Sequence, residues 1–512
     1  MQGVTTKDMT IISRTRNIGT TSALRTVKLL FFSLFLIAAV PLTTYQFTGY
    51  PNIHPYRPER LVPPWDIASG EESVLVIAPH CDDETLGCGG LLWYATQYGN
   101  RVRVVVLTNG DGYPAAATLN SEGERPFYER HLQLGQTRQQ ETLAALRVLG
   151  VEAENVSFLG YPDGGLSHLW LNHWEYDNPY TSPYTMVNRS PYSSSFTPNA
   201  PYCGRAVVDD LCAIIREFRP SLVFVPHPND THADHWATFA FTTAALQTLV
   251  RQEQLETDMR VLTYIVHRGN WPIPRAYAPS WSLDPPKTLQ RVPYEWIYQP
   301  LFDDAVTAKR RALAEYRSQM QVMRLYLLSF VRQNELFAVP HSPVAEALGH
   351  AGSSESIRDA FWEEAEPVVF DPLDDTLVRR IRGAADLSSV SAALNGDTLY
   401  LMIRSRTRTS TNMRYTLHLC DFSDKRTMIT LSVGPGYAVN ADSSLTKAGL
   451  RVRRTVGGIE IGIPLRVFAR SGTQQRPDAV FFMIQSSIAR TSLDRTAWTV
   501  LRLSPDAPNV FR

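Results

Sequence analysis

This chain has little cysteine, no excess of charge of either sign, no block of like charge and no internal repeat. Five cysteines in 512 residues are too few for a disulfide scaffold. Cys203 and Cys212 form a candidate pair, and the odd count leaves at least one thiol free. Fifty Lys and Arg balance fifty Asp and Glu, so the formal net charge is +0. That balance removes the electrostatic reason to expect nucleic acid or anionic lipid as a partner. Without runs of like charge there is no compositional case for a disordered tail. Long apolar runs are almost absent as well. The one example, Leu29 to Leu42, falls short of the ~17–25 residues that span a bilayer.

What is present is uneven. Lys7, Arg14, Arg16, Arg25 and Lys28 precede that apolar run, and no Lys or Arg follows it until Arg57. The asymmetry predicts a cytoplasmic tail over 1–28 and a signal anchor or signal peptide over 29–47, with the rest of the chain outside the cytoplasm, membrane-anchored or secreted. The interfacial residues Thr43 to Phe47 bring the run near spanning length, and no A-x-A cleavage site follows it. A Pro-rich stretch over 48–70, with Pro51, Pro55, Pro58, Pro63 and Pro64, reads as an extended linker.

From residue 71 the pattern becomes that of a folded enzyme-sized unit. Val74–Ala78, Val102–Leu107, Val156–Leu159 and Leu222–Val225 are continuous apolar runs, as expected of parallel strands buried on both faces. Helical patterns over Thr85–Tyr98, Arg138–Leu149, Trp236–Val250 and Ala305–Phe330 alternate with them or close the region. The reading is an α/β fold with a mostly parallel sheet over 71–345. After a linker over 346–367, short alternating runs replace helices: Leu399–Ile403, Tyr415–Leu419, Met428–Val433, Ile459–Ile463, Val480–Ile484 and Trp498–Leu503. Turn signals such as Asn395-Gly396-Asp397 separate them, which predicts a second, all-β sandwich domain over 368–512. A 512-residue chain exceeds the ~250–300 residues of a single core, in keeping with two domains.

Two of the predicted parallel strands end in metal-ligand residues. The first runs into His80-Cys81-Asp82-Asp83-Glu84, the second into His227-Pro228-Asn229-Asp230-Thr231-His232-Ala233-Asp234-His235. Open parallel sheets bind ligands at these carboxyl ends. A catalytic zinc needs three protein ligands and an open position for water. One His and one carboxylate from the first loop with one His from the second would suffice. A neighbouring carboxylate then serves as proton acceptor, and a spare His as acid or oxyanion partner.

The pair His-x-Asp-Asp-Glu and His-x-Asp-His, each closing a strand, resembles the PIG-L/LmbE-like family of zinc-dependent de-N-acetylases. The resemblance runs from Glu71 to Val339. It includes Thr108-Asn109-Gly110, Arg138 and Glu141, Leu159 to Gly164, and Lys309, Tyr316, Ser318 and Gln319. It implies a Rossmann-like sheet with His80, Asp83 and His235 on zinc; ferrous iron suits the same ligands. It further implies Asp82 as general base, His232 as acid or oxyanion stabiliser, Asp234 orienting His232, and Arg138 and Asp163 at the substrate. Zinc-bound water would then remove an N-acetyl group from an amino sugar, glycan, glycolipid or small glycoside. Cys81 departs from the proline more common there and leaves the ligand set intact.

Other residues draw structural readings. Glu84 is expected to fix its loop, His227 to be structural, and His168 and His173 to lie on the surface. The stretch 165–203, rich in Trp and Tyr, reads as a lid or substrate wall. In the β-domain, Asp371-Pro372, Asp374-Asp375, Asp386-Leu387 and Asn395 to Tyr400 resemble family 9 carbohydrate-binding modules. Two other functions use the same residues: a metal-dependent esterase or phosphoesterase, and a silent glycan-binding protein.

Overall fold

The computed structural model describes Leu61, Pro63 and residues 65–511, apart from 122–124, 257, 349–356, 358, 376–382, 424–425, 456 and 470–475. The expected cytoplasmic tail and anchor lie outside the described residues. Among the described residues, no helix is long and apolar enough to cross a membrane. The chain from Pro55 onward forms one compact unit.

Seven strands make the first sheet: β1 (Ser73–Ala78), β2 (Arg101–Thr108), β3 (Val156–Tyr161), β4 (Leu222–Pro226), β5 (Arg260–Tyr264), β6 (Glu295–Pro300) and β7 (Asn334–Val339). Their order is β3-β2-β1-β4-β5-β7-β6. The first five pair in parallel, whereas β7 runs antiparallel to both β5 and β6. Every residue of β1 and β4 is buried, as the unbroken apolar runs require when helices cover both faces. The chain winds outward from β1 in one direction and then restarts at β4 on its other side. The carboxyl ends of these two neighbours form the switch point of the sheet, where a crevice opens.

The C-terminal strands form two six-stranded sheets. One contains β8 (Glu346–Ala347), β9 (Pro367–Phe370), β10 (Leu387–Asn395), β11 (Thr398–Ser405), β15 (Arg451–Arg454) and β16 (Ile459–Pro464). The other contains β12 (Arg414–Cys420), β13 (Met428–Val433), β14 (Val439–Asn440), β17 (Ala479–Ile488), β18 (Thr491–Arg495) and β19 (Thr499–Arg502). Val390, Leu401 and Ile461 of one sheet share a core with Leu417, Leu431 and Ile484 of the other, so the sheets face each other. The architecture is therefore α/β with a mostly parallel sheet, followed by all-β sheets.

Several expectations need correction. The helical pattern Ala305–Phe330 is broken into Asp303–Leu313 and Arg317–Leu328, the second kinked at Met323 (φ −140°, ψ 33°). The backbone leaves the helix at Tyr316 (φ −76°, ψ 62°), which lets that buried phenol reach the first metal-ligand loop. The candidate Cys203–Cys212 pair is absent, since all five cysteines are buried free thiols. Residues 346–347, placed in a linker, pair in parallel with β10, and Asp359–Glu364 is helical. In the aromatic stretch 165–203, Trp170 and Trp174 face the sandwich and not the cavity. Trp170 packs edge-on against Phe241, Phe481 and Trp498. The Arg426 guanidinium lies 3.9 Å over Trp170 and 4.0 Å over Trp174. These rings join the sandwich to the helix Ala233–Arg251, which is buried almost all round because the sheet covers one side and the sandwich the other.

Candidate active site

The loops after β1 and β4 bring the two His/Asp clusters together. Asp83 Oδ2 lies 2.9 Å from His80 Nδ1 and 3.2 Å from His235 Nε2. Donors on a tetrahedral zinc with bonds of about 2.0–2.1 Å stand about 3.3 Å apart, so this spacing fits a metal edge. Neither ring nitrogen of the buried His235 has an aligned hydrogen-bond partner, although carboxylates lie close to both. With Asp230 beside Nδ1, Nε2 is the nitrogen left to share a cation with Asp83. His80, His232 and His235 also place ring nitrogens within 4.8 Å of one another, and so do Asp83, His235 and His267 with their donor atoms. Two imidazoles and a carboxylate suit zinc or ferrous iron.

Asp82 stands at the head of the helix Asp83–Gln97 with φ 134°, a conformation that costs a non-glycine residue about 1–3 kcal/mol. Its main-chain N–H donates to Glu84 Oε2 at 3.2 Å. Glu84 in turn accepts from Thr85 Oγ1 and from the Tyr316 hydroxyl, which explains how the strained residue is held. The Asp82 carboxylate meets Arg138 Nη2 at 3.2 Å. Burial, with Asp83 and Glu84 adding to it, pushes the Asp82 carboxyl up to about 8 against the opposing pull of Arg138.

Arg138 is itself buried, with Nη1 donating to the Gly110 carbonyl at 2.9 Å and Nη2 to that of Cys81 at 2.5 Å. It grips the base loop from behind, while one face lines the cavity. Glu141 does not pair with it; its carboxylate binds the N–H and hydroxyl of Ser318 at 2.7 and 2.6 Å. Asp163 faces His80 Nε2 at 3.3 Å and accepts from Gly112 N at 2.7 Å. Burial alone would raise Asp163, but His80 and Arg138 outweigh it and hold the carboxyl well below the usual range.

His232 Nδ1 accepts the Asp234 main-chain N–H at 3.3 Å, which leaves Nε2 to carry the ring proton. Burial and the neighbouring His80 and His235 lower its pKa, favouring the neutral ring. Asp234 contacts His232 through that N–H, while its carboxylate does other work. It accepts from Gly164 N at 2.6 Å and Leu166 N at 3.0 Å, and stands 3.2 Å from His80 Nε2. His227 packs flat on Trp296, with Nδ1 accepting from Asn229 N. His168 stacks on Tyr180 and His173 bonds the Asn178 carbonyl, both away from the cavity.

Two residues here were not singled out in the sequence. Asp230 Oδ2 accepts the N–H groups of Val266 and His267 at 3.0 and 2.9 Å and lies 3.1 Å from His235 Nδ1. It thereby ties the β4 and β5 loops together and orients a candidate ligand. Its only signal was its place inside the motif. His267 follows β5, a strand too short to recognise by its apolar run, and its Nδ1 lies 3.1 Å from the Tyr326 hydroxyl. With Asp82, Arg138, Asp163, His232, Met323 and Tyr326, His267 lines a cavity of 260 Å³. Replacing Asp230 with Asn should weaken metal binding about 10–100-fold, because an amide oxygen orients the imidazole less strongly. Metal titration of the purified variant measures this; unchanged affinity would remove Asp230 from the site's support.

With this geometry in place, known proteins can be compared. Residues 75–246 match the model of the PIG-L family, described as GlcNAc-PI de-N-acetylase. That span holds both His/Asp clusters. The chain is 26% identical over 272 residues to a 1D-myo-inositol 2-acetamido-2-deoxy-alpha-D-glucopyranoside deacetylase of Mycobacterium sp. (strain JLS), covering 49% of this chain and 74% of that one. A protein of the same description from Mycolicibacterium vanbaalenii is 25% identical over 316 residues, covering 57% and 95%. Among solved structures, N,N'-diacetylchitobiose deacetylase from Pyrococcus horikoshii is similar over 53% of this chain and 84% of its own, with 19% identity and a TM-score of 0.33. The sequence relatives are described as deacetylases, and the region similar to the PIG-L family is the one that carries both His/Asp clusters.

Proposed function

We propose that this chain is a zinc-dependent N-deacetylase that removes an acetyl group from an N-acetylated amino sugar in a small glycoside. The observation that carries this reading is the position of Asp82: a strained, Arg138-gripped carboxylate beside the His80/Asp83/His235 donors, on the same cavity as His232. The names of the relatives support the substrate class. His80, Asp83 and His235 would hold the cation, which would supply Lewis acidity toward water and the amide carbonyl. Asp82 accepts the proton of the attacking water, and Arg138 keeps its carboxylate aimed at the cavity. His232, with its proton on Nε2, donates a hydrogen bond to the developing oxyanion, and the proton that Asp82 took from water passes to the leaving amine. Asp163 and the Gly112–Tyr113 wall border the space left for the sugar. The N-terminal segment would hold this site outside the cytoplasm.

The test uses the full chain, stripped of metal and then reloaded with zinc, against a panel of N-acetylated amino sugars, glycosides and glycolipids. Acetate release that disappears on chelation and returns with zinc supports the reading. Hydrolysis of esters or phosphoesters without amide cleavage would overturn it.

A further inference from the structure

Three carboxylates converge behind the loop that carries His232, where the β-sandwich meets the α/β sheet. Asp371 follows β9, Asp375 lies in the next turn and Asp494 is on β18, and one oxygen of each lies within 4.8 Å of the others. Asp371 is 4% exposed, and neither of its carboxylate oxygens has a hydrogen-bond partner. Asp375 Oδ1 is likewise buried without one, while its Oδ2 takes Arg268 Nη2 at 2.5 Å. Asp494 accepts from Leu387 N at 2.7 Å and from Arg495 N at 2.9 Å.

The cations nearby neutralise this group only in part. Arg268 gives Nη1 to the Asn229 carbonyl at 2.7 Å. Arg495 spends Nη1 on the Pro228 carbonyl at 3.2 Å and Nη2 on that of Asp230. Asp386, next to the cluster, is bound by Arg406 at 2.7 Å. Three buried oxygens, two of Asp371 and one of Asp375, are thus left without a hydrogen-bond partner. A buried carboxylate without a partner costs several kcal/mol, so native structures fill such positions. A proton on Asp371 would need an acceptor for its O–H, and none is aligned with either oxygen. A cation among the three carboxylates would supply what these oxygens lack.

We propose that Asp371, Asp375 and Asp494 form a second metal site that takes a hard divalent cation of the calcium type. An all-oxygen donor set disfavours zinc and favours calcium, which accepts 6–8 oxygens at about 2.3–2.6 Å in flexible geometry. Burial and the neighbouring Asp494 and Asp375 push the Asp371 carboxyl well above the usual range, the pattern expected of a cluster without its counter-ion. The bound cation anchors Asp375, which holds Arg268, which holds the loop of Asn229 to His232. It therefore fastens the sandwich to the candidate active site without touching the reaction.

Equilibrium dialysis of the full, zinc-loaded chain with calcium alone tests this, with magnesium as a second arm. The wild type should bind one calcium per chain and show a thermal midpoint a few degrees higher in calcium. Asp371→Asn should abolish both effects, whereas His235→Ala, which damages the candidate zinc site, should keep them. Failure of the zinc site would leave this calcium stoichiometry unchanged, so the two readings fail separately. No calcium or magnesium bound by the wild type would overturn the proposal, whether or not the variant folds. A calcium-insensitive Asp371→Asn protein more stable than the wild type in calcium would also overturn it, showing that a carboxylic acid, and not a cation, fills the position.

Discussion

Asp82→Asn should lower the turnover number by about 10²–10⁴-fold while leaving zinc content and KM nearly unchanged. Asparagine keeps the shape and can keep a hydrogen bond to its surroundings, but it cannot accept the proton of an attacking water. The residue is costly to hold. It sits at φ 134°, pinned by Glu84 through its N–H and by Arg138 through its carboxylate. A structural acid at a helix start would not need that conformation. Turnover and metal content measured on the same preparation decide the case. Activity within about tenfold of the wild type would assign the base role elsewhere, and loss of zinc would show that Asp82 supports the metal instead.

Lys309→Met should destabilise the fold by about 3–5 kcal/mol, the cost of leaving a buried partner charge unpaired. Lys309 and Glu335 are both fully buried and meet at 2.7 Å. Lys309 Nζ also donates to the Leu86 carbonyl at 2.8 Å, while Glu335 accepts from Gly90 N at 2.7 Å and Leu91 N at 2.8 Å. The pair is inserted into the helix that begins at Asp83, and it fixes that helix against β7. The small residue at Gly89 allows the approach: a Cβ there would stand 3.2 Å from Lys309 Cγ. Pairing Lys309→Met with Glu335→Gln should recover part of the loss, because the unpaired charge is gone. Chemical denaturation of the single and double variants measures this. A single-variant loss below about 1 kcal/mol would mean that Glu335 is neutral in the native protein.

Much of this protein could be read from one-dimensional pattern. Unbroken apolar runs at β1, β2, β3 and β4 mark a parallel sheet because both faces of such strands are covered. The alternation from Leu399 to Leu503 marks antiparallel sheets with one face inward. The two His/Asp clusters were legible because each follows directly on a strand, and a parallel sheet delivers all its strand ends to one edge. Local chemistry of that kind needs only neighbours in sequence.

Other features depended on residues far apart in the chain. The break at Tyr316 could not be seen, because the 305–330 stretch keeps helical periodicity through it, and the partner of its phenol, Glu84, lies far away in sequence. His267 belongs to the site because β5 lies beside β4, a fact of strand order. Within the aromatic stretch, Trp170 is spent on Phe481 and Trp498 of the sandwich, partners some three hundred residues away. The family resemblance implies Arg138 as a substrate contact, and the tertiary structure gives it the further task of clamping Asp82 while one face stays on the cavity. Composition and periodicity determined which elements form and which carry reactive groups. Only the tertiary structure decided their partners, because a side chain's role is set by what fills the few ångströms around it, and those neighbours come from distant parts of the chain.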